Sequence, residues 1–187
     1  MLGYMRSVLT SPYFYFALSA IVLLFATTRK NNNFFDVQHI IKSHLNIFKD
    51  SKFQYVIFYG VPFLLSTGTL LQQFVNEDLL GHIIIVISIF MSMLFAMLST
   101  ITSLNQKTKD EFYLKLVNET HMSILFEAIL CIGVLIISFT LLFSNITNCF
   151  VLGIFSFILY YLIYTIMLQV FILVKRISVL LREQSTK

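Results

Sequence analysis

Hydrophobic and polar positions are separated into long blocks along this chain and do not alternate residue by residue. Each apolar block is close to the roughly 20 residues that an α-helix needs to cross the hydrocarbon core of a bilayer. The blocks comprise residues 8–28, 53–71, 83–101, 122–143 and 149–174. The pattern predicts an all-α fold, a polytopic transmembrane helix bundle of about five spans.

The first block is the least regular of these. Pro12 lies near its start, and a segment that enters the bilayer only partway would leave four full spans. A cleaved signal peptide ending near Ala20 is a weaker alternative, because cleavage there would strand the apolar residues 21–25.

Composition supports a membrane environment. Hydrophobic residues make up 58% of the 187 residues and charged residues 12%, with a mean hydropathy of +0.85. A soluble fold of this size cannot bury so much apolar surface. We therefore predict a single membrane domain over residues 1–187, with the lipid bilayer as its main partner and no separate soluble domain.

The distribution of Lys and Arg predicts the orientation. If the N-terminus is outside, only Arg6 of the 13 basic residues lies outside, and the rest lie in loops 29–52 and 102–121 and in the tail from residue 175. The positive-inside rule makes these three regions cytoplasmic. The basic residues border apolar segments and form no patch interleaved with exposed aromatic residues, so we predict no direct nucleic-acid binding.

The loop 29–52 is predicted to contain a cytoplasmic amphipathic helix. Its apolar residues recur at helical spacing, at Val37, Ile40, Ile41, Leu45 and Phe48. Such a basic amphipathic helix would lie on the inner leaflet, which we favour, or cover an apolar groove of a partner.

The last two spans are predicted to extend into the cytoplasm, over residues 102–121 and 175–187. Thr108 and Glu111 have the spacing of a capping box, and a helix from Lys109 to Phe143 would be about 52 Å long against a hydrocarbon core of about 30 Å. Two such extensions form a short hairpin that covers its own apolar residues only partly. The predicted partner-binding surface comprises Phe112, Leu116, Glu119, Ile177, Leu180, Leu181 and Arg182.

Glu127 is the one acidic residue inside a predicted span. A carboxylate in lipid costs several kcal/mol, so this side chain should face protein, water or a cation. We predict an intramembrane ion pair with Lys175 or Arg176 at the end of the last span, and keep a pore-lining or proton-sensing carboxylate as the alternative.

The third predicted span carries a face of small residues at four-residue spacing, namely Ser88, Ser92, Ala96 and Thr100. Small side chains allow helices to approach closely, so this face predicts helix packing, either within the chain or with another subunit. A water-lined pore is the less favoured alternative.

Local signatures of catalysis are missing from the sequence. It contains no HExxH helix, no phosphate-binding glycine loop and no serine or cysteine nucleophile signature, and we predict no enzyme activity, no cofactor and no metal site. His39, His44, His82 and His121 are interpreted as polar residues of loops and span ends. Cys131 and Cys149 are interpreted as unpaired packing residues.

Short motifs at Glu119-Thr120, Lys175-Arg176-Ile177 and Leu180-Leu181 resemble those of the membrane subunits of Kiwa-type bacterial anti-phage defence systems. They cover about a tenth of the chain. The resemblance implies an oligomeric inner-membrane sensor of four spans that works with a cytosolic DNA-binding effector.

The function expected first is therefore a non-enzymatic sensor or anchor in the bacterial inner membrane. It would be a homo-oligomer that couples an event at the membrane to a cytosolic effector protein. A pore-forming or channel-like effector is the alternative, supported by Glu127 and the small-residue face. A small transporter ranks third, because the sequence shows no internal repeats.

Overall fold

The computed structural model describes residues 40–42, 44, 52–104, 111–144 and 148–185. The chain divides into two compact units, residues 1–41 and residues 42–187. Of the first unit only Ile40 and Ile41 are described, and both are helical. The first predicted span and most of the predicted amphipathic helix therefore lie outside the described residues. Everything below concerns the second unit.

The second unit contains four long helices. They are α1 (Lys52–Gln72), α2 (Glu77–Leu104), α3 (Glu111–Phe143) and α4 (Cys149–Ser185). No strand occurs in the part of the chain that the structure describes. The prediction of an all-α fold is confirmed.

Three of these helices are long and apolar enough to cross a membrane, within Glu77–Ser103, Tyr113–Phe143 and Cys149–Arg182. The apolar part of α1 within the described residues, Val56–Gln72, is shorter. Pro62 lies inside this helix, where it removes one backbone donor. The structure thus supports a membrane protein and leaves the predicted number of five spans open.

The helices pack in the order α1, α4, α3, α2, because α4 contacts both α1 and α3 and α2 contacts the other side of α3. In α2 and α4, the most completely buried apolar residues recur every seven positions. In α2 they are Leu80, Ile87, Leu94 and Ile101, and in α4 they are Leu159, Ile166, Leu173 and Leu180. A seven-residue repeat places each series along one straight stripe, which is the packing of coiled-coil-like bundles.

Helix α3 carries both series of the heptad, with buried positions separated alternately by four and three residues. They are Tyr113, Val117, Thr120, Ile124, Glu127, Cys131, Val134, Ser138 and Leu141. The two series lie side by side in one stripe, and α3 contacts both α2 and α4. The heptad explains why Glu127 is buried: it occupies a position where the repeat points the side chain into the bundle.

Asparagine residues begin two of the helices. The side-chain Oδ1 of Asn76 accepts a hydrogen bond from the Leu79 amide at 2.9 Å, and Asn148 Oδ1 accepts one from the Phe150 amide at 3.0 Å. Glu77 and Asp78 add negative charge to the first turn of α2, where the helix dipole favours it. These caps fix where α2 and α4 begin.

Candidate functional site

The N-terminal half of α4 holds a group of polar side chains that bond α1 and the turn after it. Tyr164 Oη lies 2.8 Å from Thr69 Oγ1, and Tyr160 Oη donates to the Gln73 carbonyl at 3.3 Å. Ser156 Oγ accepts a hydrogen bond from the buried Val75 amide at 3.1 Å. We call Ser156, Tyr160 and Tyr164 with these partners the paired cluster. The cluster ties the turn at residues 73–76 to α4.

The C-terminal half of α4 borders a small cavity of about 10 Å³, which is the space that one water molecule needs. Most of the side chains around it are polar or charged, although it lies within an apolar bundle. The lining residues are His44, Phe58, Ser123, Glu127, Gln169, Ile172, Leu173 and Arg176. This polar cavity is the candidate functional site.

Glu127 contributes the acidic group of the polar cavity. Its side chain is 0% exposed, and neither carboxylate oxygen has a hydrogen-bond partner among the described residues. Leaving an ionised carboxylate buried and unpaired costs far more than leaving a neutral polar group so. The arrangement therefore differs from a structural polar contact such as that of Ser156.

The cation of the polar cavity is directed towards a different carboxylate. Arg176 Nη1 lies 3.9 Å from Oε2 of Glu119, and Lys115 Nζ lies 4.0 Å from Oε1 of the same residue. Within the described part of the chain, Glu127 makes no ion pair of this kind. The predicted Glu127–Arg176 pair is thus absent from this structure, although both residues line one cavity.

Lys175, the other predicted partner of Glu127, is exposed. It precedes Arg176 by one position, which rotates it about 100° around the helix axis. The rotation carries it away from the side of α4 that faces α3. Of the two adjacent cations, only Arg176 reaches the polar cavity.

His44 is buried, with 3% of its surface exposed, which corrects its interpretation as a polar loop residue. Its ring stacks on Phe126 with a centroid distance of 4.2 Å and an interplanar angle of 16°. The Nε2 amide group of Gln169 lies 3.5 Å from Nε2 of His44 and donates to it when that nitrogen is unprotonated. Burial, and secondarily the charge of Arg176, lower the pKa of His44 to about 4.

The other predicted histidines are not in the cavity. His82 is exposed and its Nδ1 lies 2.7 Å from the Asp78 carbonyl, one turn earlier in α2. His121 is half-buried in α3, and His39 lies outside the described residues. Cys131 is buried and Cys149 is exposed, and both are free thiols. The burial of Cys131 agrees with its interpretation as a packing residue, whereas Cys149 is exposed and does not pack in the bundle.

The predicted partner-binding surface is largely consumed by packing between α3 and α4. Leu180 is 0% exposed, and Leu116 and Ile177 pack against the core. Glu119 contacts Lys115 and Arg176. Of the residues in the predicted surface, Leu181 and Arg182 are exposed. The side chain of Phe112 lies outside the described residues. The prediction that the partner-binding surface is left uncovered is wrong for Leu180. This residue is buried because the heptad pattern of α4 continues to the end of the bundle.

The small-residue face of α2 lies on the outside of the bundle. Ser88, Ser92, Ala96 and Thr100 are all exposed, roughly opposite the buried stripe of the same helix. The hydroxyls of Ser88, Ser92 and Thr100 donate to carbonyls one turn earlier, those of Ile84, Ser88 and Ala96. Among the described residues, this face therefore has no helix packed against it.

Comparison of the chain with protein-family models, with curated proteins and with solved structures finds no match. Within the described residues, no three His, Cys, Asp or Glu side chains gather where they could hold a metal ion.

Three polar members of the cavity were not predicted from the sequence as site residues, namely His44, Ser123 and Gln169. Gln169 lies in the middle of a long apolar helix, and an amide there is a signal because it needs partners. His44 has no such signal, since it precedes α1 and meets Gln169 only through the tertiary fold.

Proposed function

We propose that this chain is a non-enzymatic membrane sensor or anchor subunit that couples an event at the bilayer to a soluble effector protein. The observation that carries the proposal is the length of α3 and α4. With 33 and 37 residues they measure about 50 Å and 56 Å, against about 30 Å for a hydrocarbon core. Both helices must therefore continue beyond one side of the membrane.

The part beyond the membrane is a packed stem, which we define as residues 111–121 of α3 and 175–185 of α4. Its interior holds Tyr113, Val117 and Leu180, all at most 4% exposed. The Glu119–Arg176 contact joins the two helices at the same level. Because the stem has its own apolar core, its two helices move together as one rigid body. A movement of the membrane-spanning segments is therefore transmitted to the end of the stem farthest from the membrane.

The exposed side of the stem is suited to a protein partner. Leu181 and Val179 are 44% and 42% exposed, and Arg182 is exposed next to them. Val179 and Arg182 lie one turn apart on the same side of α4, and an apolar side chain beside a cation has the character of a helix-in-groove contact. Leu181 is exposed on the other side of the buried Leu180. A partner that presents an apolar groove with an acidic rim fits this side, and direct binding of nucleic acid by this chain is not part of the proposal.

The setting of the proposal is anti-phage defence in a bacterial inner membrane, as the Kiwa-type resemblance implies. The small-residue face of α2 would serve homo-oligomer contacts. The full topology would comprise five spans, with residues 8–28 and α1 crossing in addition to α2, α3 and α4. Phosphatase fusions at Asn32, Lys107 and Lys187 test this topology, and strong phosphatase activity at any of them contradicts it.

The test of the sensor proposal is a double variant of the stem, Leu181→Glu with Arg182→Glu. The variant should lose co-purification of its soluble partner and lose phage resistance, while expression and oligomer size stay unchanged. Thr102→Glu is the matched control, because Thr102 is exposed near the end of α2 and outside the stem. If the double variant retains both partner and resistance, the stem is not the coupling surface.

A pore-forming function is the second candidate, and the polar cavity favours it. Glu127, Ser123 and Gln169 bring three polar groups together inside the bundle. An ion path through the protein would need such groups, because hydrocarbon offers none. Reconstitution into liposomes loaded with an ion-sensitive dye separates the two functions, since a pore leaks ions without a soluble partner and a sensor does not.

A further inference from the structure

We propose that the polar cavity binds one proton on Glu127, and that Arg176 is a counterion with two alternative partners. Arg176 contacts Glu119 while Glu127 is protonated and turns to Glu127 when that proton leaves. The inference concerns this chain's own residues and goes beyond the sensor function, so it holds whether or not a soluble partner binds.

The burial of Glu127 argues for a protonated carboxyl. Its two oxygens are buried and have no hydrogen-bond partner in the described residues, and the contact of the nearest cation is with Glu119. An isolated ionised carboxylate is so costly in an apolar interior that the group takes up a proton instead. A neutral carboxyl group is satisfied by one hydrogen bond that it donates and one that it accepts. The cavity has room for one water molecule, which would form both.

The geometry of Arg176 argues for its mobility. The 3.9 Å separation from Glu119 exceeds the 2.7–2.9 Å that is usual for a charge-assisted hydrogen bond. Nη1 of Arg176 is buried and has no hydrogen-bond partner among the described residues. Glu119 also contacts Lys115, so it keeps a cation nearby when Arg176 leaves. A short side-chain rotation within the cavity would then bring Arg176 to Glu127.

Among the described groups that face Glu127, Arg176 is the one whose positive charge can serve as a counterion. From α4 come Gln169 and Arg176, from α1 the apolar Phe58, and from the segment before α1 the imidazole of His44. Helix α3 adds the Ser123 hydroxyl and, four residues after Glu127, the buried Cys131 thiol. None of the described cavity-lining residues belongs to α2. His44 is uncharged at neutral pH because its pKa is lowered to about 4.

The exchange is balanced in charge and atoms. The proton leaves the Glu127 carboxyl and passes to solvent. The negative charge that appears on Glu127 is compensated by the guanidinium of Arg176, and Glu119 retains Lys115. The contact between α3 and α4 at Glu119 is thereby loosened. The loss of one proton from Glu127 is in this way coupled to the end of the stem that lies next to the membrane.

An infrared titration of the full-length protein in lipid nanodiscs tests the inference. The carboxylic acid C=O band of a buried acid should persist at pH values where exposed glutamates are ionised, and Glu127→Gln should remove it. Glu119→Gln frees Arg176 for Glu127, so the band should disappear at a pH lower by about one unit or more. Arg176→Gln should move the disappearance to higher pH.

Opposite shifts in these two variants show that the charges of Glu119 and Arg176 both act on Glu127, whereas a purely structural role would move both in the same direction or neither. Glu111→Gln is the control, because Glu111 is exposed and begins the same helix. If Glu127→Gln does not fold, Glu127→Asp keeps the acid and assigns the band by a frequency change. A band that survives Glu127→Gln, or equal shifts in Glu119→Gln and Arg176→Gln, overturns the proposal.

Discussion

The two polar regions of α4 differ in how completely their groups are bonded. In the paired cluster, Ser156, Tyr160 and Tyr164 each contact a partner on α1 or on the turn that follows it. In the polar cavity, Glu127 and the Oε1 atom of Gln169 lack hydrogen-bond partners among the described residues. Both regions border α4, the paired cluster along its N-terminal half and the polar cavity along its C-terminal half.

The contrast shows which region can change state. A bonded group gains about 1 kcal/mol from its partner and loses it when the contact opens, so the paired cluster has one stable arrangement. In the polar cavity the groups have unused bonding capacity, and several arrangements can have similar free energies. We therefore assign the paired cluster to stability and the polar cavity to function.

The largest change in the free energy of unfolding is expected from disrupting the apolar packing in the C-terminal half of α4, which borders the polar cavity. Leu180→Glu places a charge at a site that is 0% exposed, and it should cost more than about 4 kcal/mol or abolish folding. Leu181→Glu, one residue away at 44% exposure, should change stability by less than about 0.5 kcal/mol. Thermal unfolding in detergent measures both. Equal tolerance would mean that the cavity region is loose in its packing as well as in its hydrogen bonds.

Acidification should weaken the cavity region next. The pKa of His44 is about 4 in the folded protein and 6.5 in an unfolded chain, so the unfolded state binds the proton more tightly. Stability is then lost as pH falls from about 6.5 towards 4, by about 3 kcal/mol in all. His44→Gln should flatten this part of the stability profile, whereas His82→Gln, at an exposed site, should leave it unchanged. A profile that His44→Gln does not alter contradicts the burial of a neutral imidazole.

The paired cluster should show a smaller and pH-independent loss. Ser156→Ala removes the acceptor of the Val75 amide, and a buried amide left unbonded costs about 1–3 kcal/mol. Ser88→Ala is the matched control, because that serine is exposed and bonds only its own helix. The expected difference is a lower unfolding temperature for Ser156→Ala alone. If the two variants unfold alike, the cluster's hydrogen bonds do not contribute to stability.

The smallest effect is expected at Glu127 itself. Glu127→Gln should change the free energy of unfolding at neutral pH by less than about 0.5 kcal/mol, because an amide matches a protonated carboxyl in size and polarity. Glu127→Leu should cost more, because it places an apolar side chain against the buried polar atoms of Gln169 and Arg176. Unfolding in detergent compares the two. A loss for Glu127→Gln as large as that for Ser156→Ala would mean that the carboxylate is ionised and paired in the folded protein.

Part of this site was predictable from sequence. Glu127 stands out as an acid in an apolar block, and its burial in a helix was expected. Its ion pair was not correctly predicted, because Glu119 and Glu127 lie eight residues apart on one helix and either can meet a cation of α4. Which of the two carboxylates meets the cation depends on how far α3 and α4 are shifted along each other. The spacing of residues along one helix does not determine that shift.

The sequence alone predicted the apolar blocks that form α1 to α4, although α2 extends beyond its block at both ends. Long apolar blocks fold as helices in lipid because only helical backbones satisfy their own hydrogen bonds there. The heptad positions of α2 and α4 are also written in the sequence as Leu and Ile every seven residues.

Only the tertiary structure decided which helices are neighbours and which polar groups meet. His44 reaches Gln169 across 125 residues of chain, and the Ser88 face was left outside the bundle although its small residues permitted packing. The physical reason is that apolar stripes of similar composition can pair in several ways. The pairing of lowest free energy depends on shape and polar contacts summed over all the helices at once.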